Sequence, residues 1–142
     1  MQTAQDWEIS SDLSRIDWRR VHGWLSSSYW SPGIALERIQ LGAANSALVL
    51  GAYAARDQIG FLRVVSDKSR FAYICDVWVD QEHRGKGIAS SMVQFAVEHP
   101  DFTTVNWLLA TVDAHGVYAK LGFTGLTNPE RWMSKGRFCT GA

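Results

Sequence analysis

The sequence predicts an α/β (α+β) fold: a mixed, mostly antiparallel sheet of about 6–7 strands flanked by about four helices. Two observations predict it. Three apolar, β-branched and aromatic runs between residues 47 and 79 are separated only by tight polar turns, as in an antiparallel meander. Beyond them, Ile88, Ala89, Met92, Val93, Ala96 and Val97 recur at helical spacing.

Taken in order, Trp7-Glu8-Ile9-Ser10 alternates and predicts a short first strand. Asp17 is placed to cap a helix through Leu25, with Trp18, Val21, His22 and Leu25 on one face. Ser26 to Pro32 is a break. A second short helix runs from about Gly33 to Leu41 and stops at Gly42. Strands are expected at Ala47–Tyr53, Gln58–Val65 and Phe71–Val79, with turns at Arg56-Asp57 and Ser66–Ser69. A helix from Gly85 to about His99 ends before Pro100. Asn106–Thr111 predicts a fifth strand, and Ala114–Leu121 a short helix ended by Gly122. Further strands are expected from Phe123 and over Trp132–Lys135. The whole order is β-α-α-β-β-β-α-β-α-β-β.

With 142 residues the chain fits one domain, residues 1–142, able to bury roughly 68–70% of its unfolded surface. Fourteen basic side chains balance fourteen acidic ones, so no global field recruits nucleic acid. Cys75 sits in an apolar run and Cys139 near the C-terminus; neither has metal-ligand spacing, and a disulfide framework is not expected. The first residues show no secretory signal, and the longest apolar run, Ala47–Ala55, is too short for a membrane span. A cytoplasmic setting is the expectation.

The most informative segment is Val77-Trp78-Val79-Asp80-Gln81-Glu82-His83-Arg84-Gly85-Lys86-Gly87-Ile88-Ala89. A strand enters a polar loop with two glycines, and a helix opens from it. Unpaired N–H groups and the macrodipole at a helix start favour an anion. Gly85 and Gly87 let a ligand approach the backbone, and Arg84 and Lys86 add charge. The segment fits neither the P-loop pattern nor the dinucleotide pattern, because Gly87 follows Lys86 and Ser90 occupies the last glycine position. A solvated basic turn before a helix is the plain alternative.

Arg84-Gly85-Lys86-Gly87-Ile88-Ala89 resembles R/Q-x-x-G-x-G/A, the pyrophosphate signature of the GNAT (GCN5-related N-acetyltransferase) family. Asp113-Ala114-His115-Gly116-Val117-Tyr118-Ala119-Lys120-Leu121-Gly122-Phe123 is similar to the family's second element, in which a tyrosine on a short helix precedes Gly-Phe. The resemblance covers about Ile59 to Lys135. It implies splayed fourth and fifth strands, with acetyl-CoA as co-substrate. The pantetheine would then lie on the backbone of Val77, Trp78 and Val79, and the pyrophosphate on the N–H groups from Arg84 to Ala89. No metal is implied. A homodimer is compatible with the resemblance.

Acetyl transfer by direct attack in a ternary complex sets two tasks. The amine must lose a proton, since an alkyl ammonium has a pKa near about 10.4 and no lone pair. The departing thiolate must be stabilised or protonated. Tyr118 matches the family tyrosine that points at the coenzyme sulfur, and its phenol stays protonated at neutral pH. Asp76, a lone carboxylate in an apolar strand, is the candidate base. It reads equally well as a structural carboxylate bonded to backbone or to an arginine, and water also serves the proton. His115 and His22 are weaker base candidates, and His83 reads as a solvated loop residue or a phosphate neighbour.

In the family the loop between the first two helices often walls the acceptor side. Here it carries Tyr29 and Trp30, an aromatic pair suited to holding an amine or simply to packing. His115 joins them as a candidate acceptor contact. Trp78 and Trp107 are expected to line the central cleft, and Trp132 to close the acceptor side. The expected function is N-acetylation of a primary amine, with a small-molecule acceptor favoured over a protein N-terminus or lysine. The alternative of another class is a non-catalytic acetyl-CoA sensor or interaction module. Neither nucleic acid nor a membrane is an expected partner.

Overall fold

The computed structural model describes residues 6–136. Its elements run β1 (Glu8–Ser10), α1 (Trp18–Ser26), α2 (Leu36–Ala44), β2 (Leu48–Ala54), β3 (Asp57–Ser66), β4 (Phe71–Val79), α3 (Ile88–Val97), β5 (Asn106–Leu108) and α4 (His115–Ala119). Short 3-10 turns punctuate the connections.

The strands form one sheet in chain order, β1-β2-β3-β4-β5. The first four pair antiparallel, and β5 runs parallel to β4. Parallel pairing requires a crossover, which α3 supplies. Alternate residues of β2 and β3 face opposite sides. Leu50, Ala52, Ile59, Leu62 and Val64 join Met92 and Val93 of α3 in one core. Val49 and Phe61 point the other way, into a second core with Val21 and Leu25 of α1 and Ile39 of α2. A Cβ at Gly60 would come within 3.1 Å of both Ala52 Cβ and Met92 Cε, so the missing side chain lets α3 lie close on the sheet.

α1 is anchored by polar contacts at its start. The Asp17 carboxylate accepts from the Arg20 N–H at 3.1 Å. Buried Gln58 accepts from the Asp17 N–H at 2.8 Å and donates to the Gly60 carbonyl at 2.9 Å.

The pairing of β4 with β5 covers only Phe71↔Asn106, Ala72↔Trp107 and Tyr73↔Leu108. There β5 ends, while β4 continues to Val79. A cleft opens between them, as expected of the fourth and fifth strands.

The expected sixth and seventh strands are a correction: among the described residues the sheet has five. Gly122, Gly125 and Pro129 interrupt the segment after α4, and a 3-10 turn at Pro129–Arg131 replaces pairing. Met133 is 97% exposed and Trp132 more than half, so little apolar surface is gained there. Two predicted helices are longer than observed, since α3 starts at Ile88, with Gly87 as its N-cap, and α4 spans only His115–Ala119; α2 is displaced instead, running past Gly42 to Ala44. Cys139 lies outside the described residues. No described helix is long and apolar enough to cross a membrane.

Candidate active site

The phosphate loop is built from backbone. Gly85 and Gly87 both have φ of 81°, in the left-handed region that a Cβ disfavours. Through those two residues the chain turns from β4 into α3. The first capping bond is Ser91 N–H to Gly87 carbonyl, at 3.0 Å. Among the described residues, no protein group accepts from the N–H groups of Gly85 through Ser90. They form the row of donors that suits a diphosphate. The side chain of Arg84 folds back. Its Nε donates to the Val79 carbonyl at 3.0 Å, and its guanidinium carbon lies 5.3 Å from the centre of the Trp78 ring. Lys86 is exposed and its side chain lies outside the cleft, so its share is an N–H group and long-range charge. Ile88 is buried in the core and Ala89 borders the cleft.

β4 is irregular where the cleft begins. Phe61 pairs with Trp78 and Arg63 with Cys75, so Asp76 and Val77 together oppose Leu62. That is a β-bulge, and Asp76 adopts φ of 57° within it. Aspartate is one of the few residues that tolerate this conformation. Above the bulge, the Asp80 N–H donates to the Ile59 carbonyl at 2.8 Å. By ladder alternation, Trp78 and Asp80 then bond towards β3, and the amides of Val77 and Val79 face the cleft.

The Asp76 side chain is fully engaged. Arg63 Nε donates to Oδ2 at 2.7 Å and Trp30 Nε1 donates to Oδ1 at 2.9 Å. Arg63 also donates to Ser46 Oγ at 3.3 Å. Burial works against the Arg63 charge, but Cys75 and Asp76 outweigh it and hold its pKa above the usual value. Burial pushes the neighbouring Cys75 thiol up to about 12, so it stays protonated at neutral pH. Of the two readings of Asp76, this geometry is that of the arginine-bonded structural carboxylate.

The loop between α1 and α2 is held as a rigid flap. Buried Ser28 donates to the Leu25 carbonyl at 2.7 Å and accepts from the Ser31 N–H at 3.1 Å. Gly33 donates to the Ser26 carbonyl at 2.9 Å. Tyr29 and Trp30 pack edge to face at 4.9 Å, and Trp30 lies 6.0 Å from Trp78. Tyr29 reaches across the cleft, where its hydroxyl accepts from the Val112 N–H at 3.2 Å.

Two cavities meet beneath this flap. The larger, about 650 Å³, runs from the phosphate loop along Val77–Val79 to Tyr118. The smaller, about 160 Å³, lies in the splay between β4 and the segment after β5, beside Tyr73, Cys75 and Asp76. Tyr29, Trp30, Val77, Asp113, Ala114 and Tyr118 border both. Tyr118 is only 8% exposed and packs on Phe123 at 6.0 Å. Its hydroxyl makes no hydrogen bond among the described residues. Burial first, then Tyr29 and Asp113, raises its pKa above the usual phenol value.

The structure does not bring every candidate together. His115 lines a groove on the far side of β5 and neither cleft cavity, because it opens α4 pointing outward. Trp107 borders that same groove and packs on Phe102 at 5.4 Å. Trp132 is exposed and borders neither cleft cavity. His22 is tied to the Ile34 carbonyl at 3.1 Å. His83 lines the larger cavity and contacts Asp80 at 3.2 Å. No group of three or more described His, Cys, Asp or Glu residues is arranged to hold a metal. Sequence reasoning missed Arg63 and assigned no role to Asp113. Arg63 had a signal: it is the lone charge inside the Gln58–Val65 run, as Asp76 is in the next strand, and opposite lone charges in adjacent strands pair.

The chain matches the profile of the acetyltransferase (GNAT) family over residues 7–123. It is 35% identical to a candidate acetyltransferase of the GNAT family from Xanthomonas campestris pv. campestris, with a TM-score of 0.90 over 94% of this chain and 95% of that one. A candidate acetyltransferase of Deinococcus radiodurans superposes with a TM-score of 0.75 at 18% identity, covering 98% of this chain and 94% of that one. The GNAT family N-acetyltransferase YhbS of Escherichia coli, solved in complex with CoA, gives 0.67 at 19% identity over 87% and 72%. A search of curated proteins found no match.

Proposed function

This chain belongs to the acetyltransferase (GNAT) family and is an acyltransferase with acetyl-CoA as co-substrate; on that premise we propose that it acetylates a primary amine of a small molecule by direct attack. The observation that carries the reading is the unpartnered hydroxyl of Tyr118, a largely buried residue at the junction of the two cavities.

The donor row from Gly85 to Ser90, with Arg84 beside it, suits the diphosphate of the coenzyme. The cleft-facing amides of Val77 and Val79 suit the pantetheine arm. The thioester then comes to the junction. An amine in the smaller cavity, once it has lost its ammonium proton, forms the C–N bond, and the C–S bond breaks. Tyr118 donates its proton to the departing sulfur. Its raised pKa keeps that proton in place until then. Cys75, protonated and half-buried, offers no thiolate for an acetyl-enzyme, which favours one-step transfer.

For Asp76 we propose a positioning role. Holding Arg63 with one oxygen and Trp30 with the other, it fixes the indole between the coenzyme and acceptor sides. The attacking amine sheds its proton to water. The smaller cavity supports a small acceptor over a folded protein segment.

The test is incubation with acetyl-CoA and a panel of amines while free thiol is followed. Turnover on small amines is expected. Thiol release only with peptides would move the acceptor to proteins, and coenzyme binding without turnover on a broad panel would favour a sensor.

A further inference from the structure

The smaller cavity carries a charge that no group among the described residues neutralises. Arg84 and the loop N–H groups serve the larger cavity. No lysine or arginine borders the smaller one. Its lining holds two carboxylates, Asp76 and Asp113. Asp76 is balanced by Arg63 at 2.7 Å. The Asp113 carboxylate makes no ion pair and no hydrogen bond among the described residues, so it leaves one net negative charge at the junction. The Val112 N–H bond to Tyr29 holds that stretch of chain against the flap at 3.2 Å. Asp113 is itself exposed, and the rings of Tyr29, Trp30, Tyr73 and Tyr118 line the same cavity. Tyr118, a residue only 8% exposed, borders the same space and its hydroxyl is unpartnered.

We propose that Asp113 is the specificity-determining residue for the acceptor, and that the acceptor is a compact cationic amine without a carboxylate or phosphate. The proposal rests on the acetyl-transfer reading of this site. Asp113 draws the ammonium to the junction, and the aromatic faces favour a cation over an anion. An anionic group on the acceptor finds no basic partner in the smaller cavity. It also meets Asp113 as a like charge, which costs affinity. A cavity near 160 Å³ is of the order that admits a benzene-sized group.

The experiment follows thiol release from acetyl-CoA at pH 7.5 with three probes that share a phenyl ring: phenethylamine, which is cationic; aniline, which is neutral; and phenylalanine, which adds a carboxylate. Phenethylamine is expected to exceed phenylalanine in kcat/KM by about ten-fold or more. Asp113→Asn should raise KM for phenethylamine about ten-fold, leave KM for aniline and coenzyme affinity unchanged, and be rescued by Asp113→Glu. Added salt should raise KM for phenethylamine in the wild type and not in Asp113→Asn. Preference for phenylalanine leaves acetyl transfer standing and overturns the charge rule. An equal loss on phenethylamine and aniline in Asp113→Asn overturns the role of Asp113. A wild type that releases no thiol with any amine overturns the acetyl-transfer reading, and this proposal with it.

Discussion

The coenzyme side of the cleft is made of backbone, whereas the acceptor side is made of side chains brought from distant parts of the chain. On the first side, two glycines at φ of 81° and the opening turn of α3 suffice to line up donors. On the second, Trp30 meets Asp76 across 46 residues and Tyr29 meets Val112 across 83. Local geometry can recur with few constraints on side chains. A wall assembled from long-range contacts depends on each partner. The coenzyme side therefore suits an invariant ligand and the acceptor side a variable one.

Tyr118 belongs to both sides, and its loss should have the largest effect. Tyr118→Phe is expected to lower kcat about a thousand-fold while leaving coenzyme affinity unchanged, read by thiol release and calorimetry. A fall in affinity instead would place Tyr118 on the coenzyme side alone. Its pH behaviour is a second reading. The phenol pKa is raised, so the active protonated form persists to higher pH than an ordinary phenol's. A kcat profile that falls between pH 8 and 9 would contradict this.

Next comes the backbone side. Gly87→Val forces a β-branched residue to a positive φ, at a cost of about 1–3 kcal/mol, although a Cβ there meets no neighbour within 4 Å. Coenzyme affinity should fall about a hundred-fold as the donors move, with KM for the amine little changed. Unchanged affinity would remove the diphosphate from this loop.

The side-chain wall should yield less, and differently. Arg63→Met leaves Asp76 half-buried with one partner, and should cost about 2 kcal/mol of stability in denaturant unfolding. It should also raise acceptor KM and change tryptophan emission as Trp30 loosens, while coenzyme affinity holds. Smallest is Tyr29→Phe, which removes the acceptor for the Val112 N–H and should raise amine KM a few-fold, for about 1 kcal/mol. If Arg63→Met weakened the coenzyme more than the amine, the division between the two walls would fail.

The same contrast explains what could be read in advance. The phosphate loop, the meander and α3 were legible because glycine positions, alternation and helical spacing are local. The expected cleft between β4 and β5 came from the family resemblance and is present. The division of labour between Asp76 and Asp113 was not legible. Asp76 lies within β4 and Asp113 in the segment before α4, and only the fold decides that Arg63 neutralises the first. His115 and Tyr118 sit three apart in sequence, yet α4 is so short that His115 opens it towards the far groove. The strands expected after α4 failed because alternation was inferred from a few apolar residues in a segment cut by Gly122, Gly125 and Pro129.

The bulge at Asp76 makes β4 a strand with an inserted letter. Up to Cys75 it is spelled in one reading frame, and from Trp78 onward in a frame displaced by one. Deleting Asp76 would restore a single frame and an unbroken ladder with β3. Trp78, Val79 and Asp80 would keep Phe61, Gly60 and Ile59 opposite them, but Arg63 and the Trp30 indole would lose the carboxylate they share. Such a protein would gain a regular ladder and lose the tie between sheet and flap, because the inserted letter is also the knot that joins them.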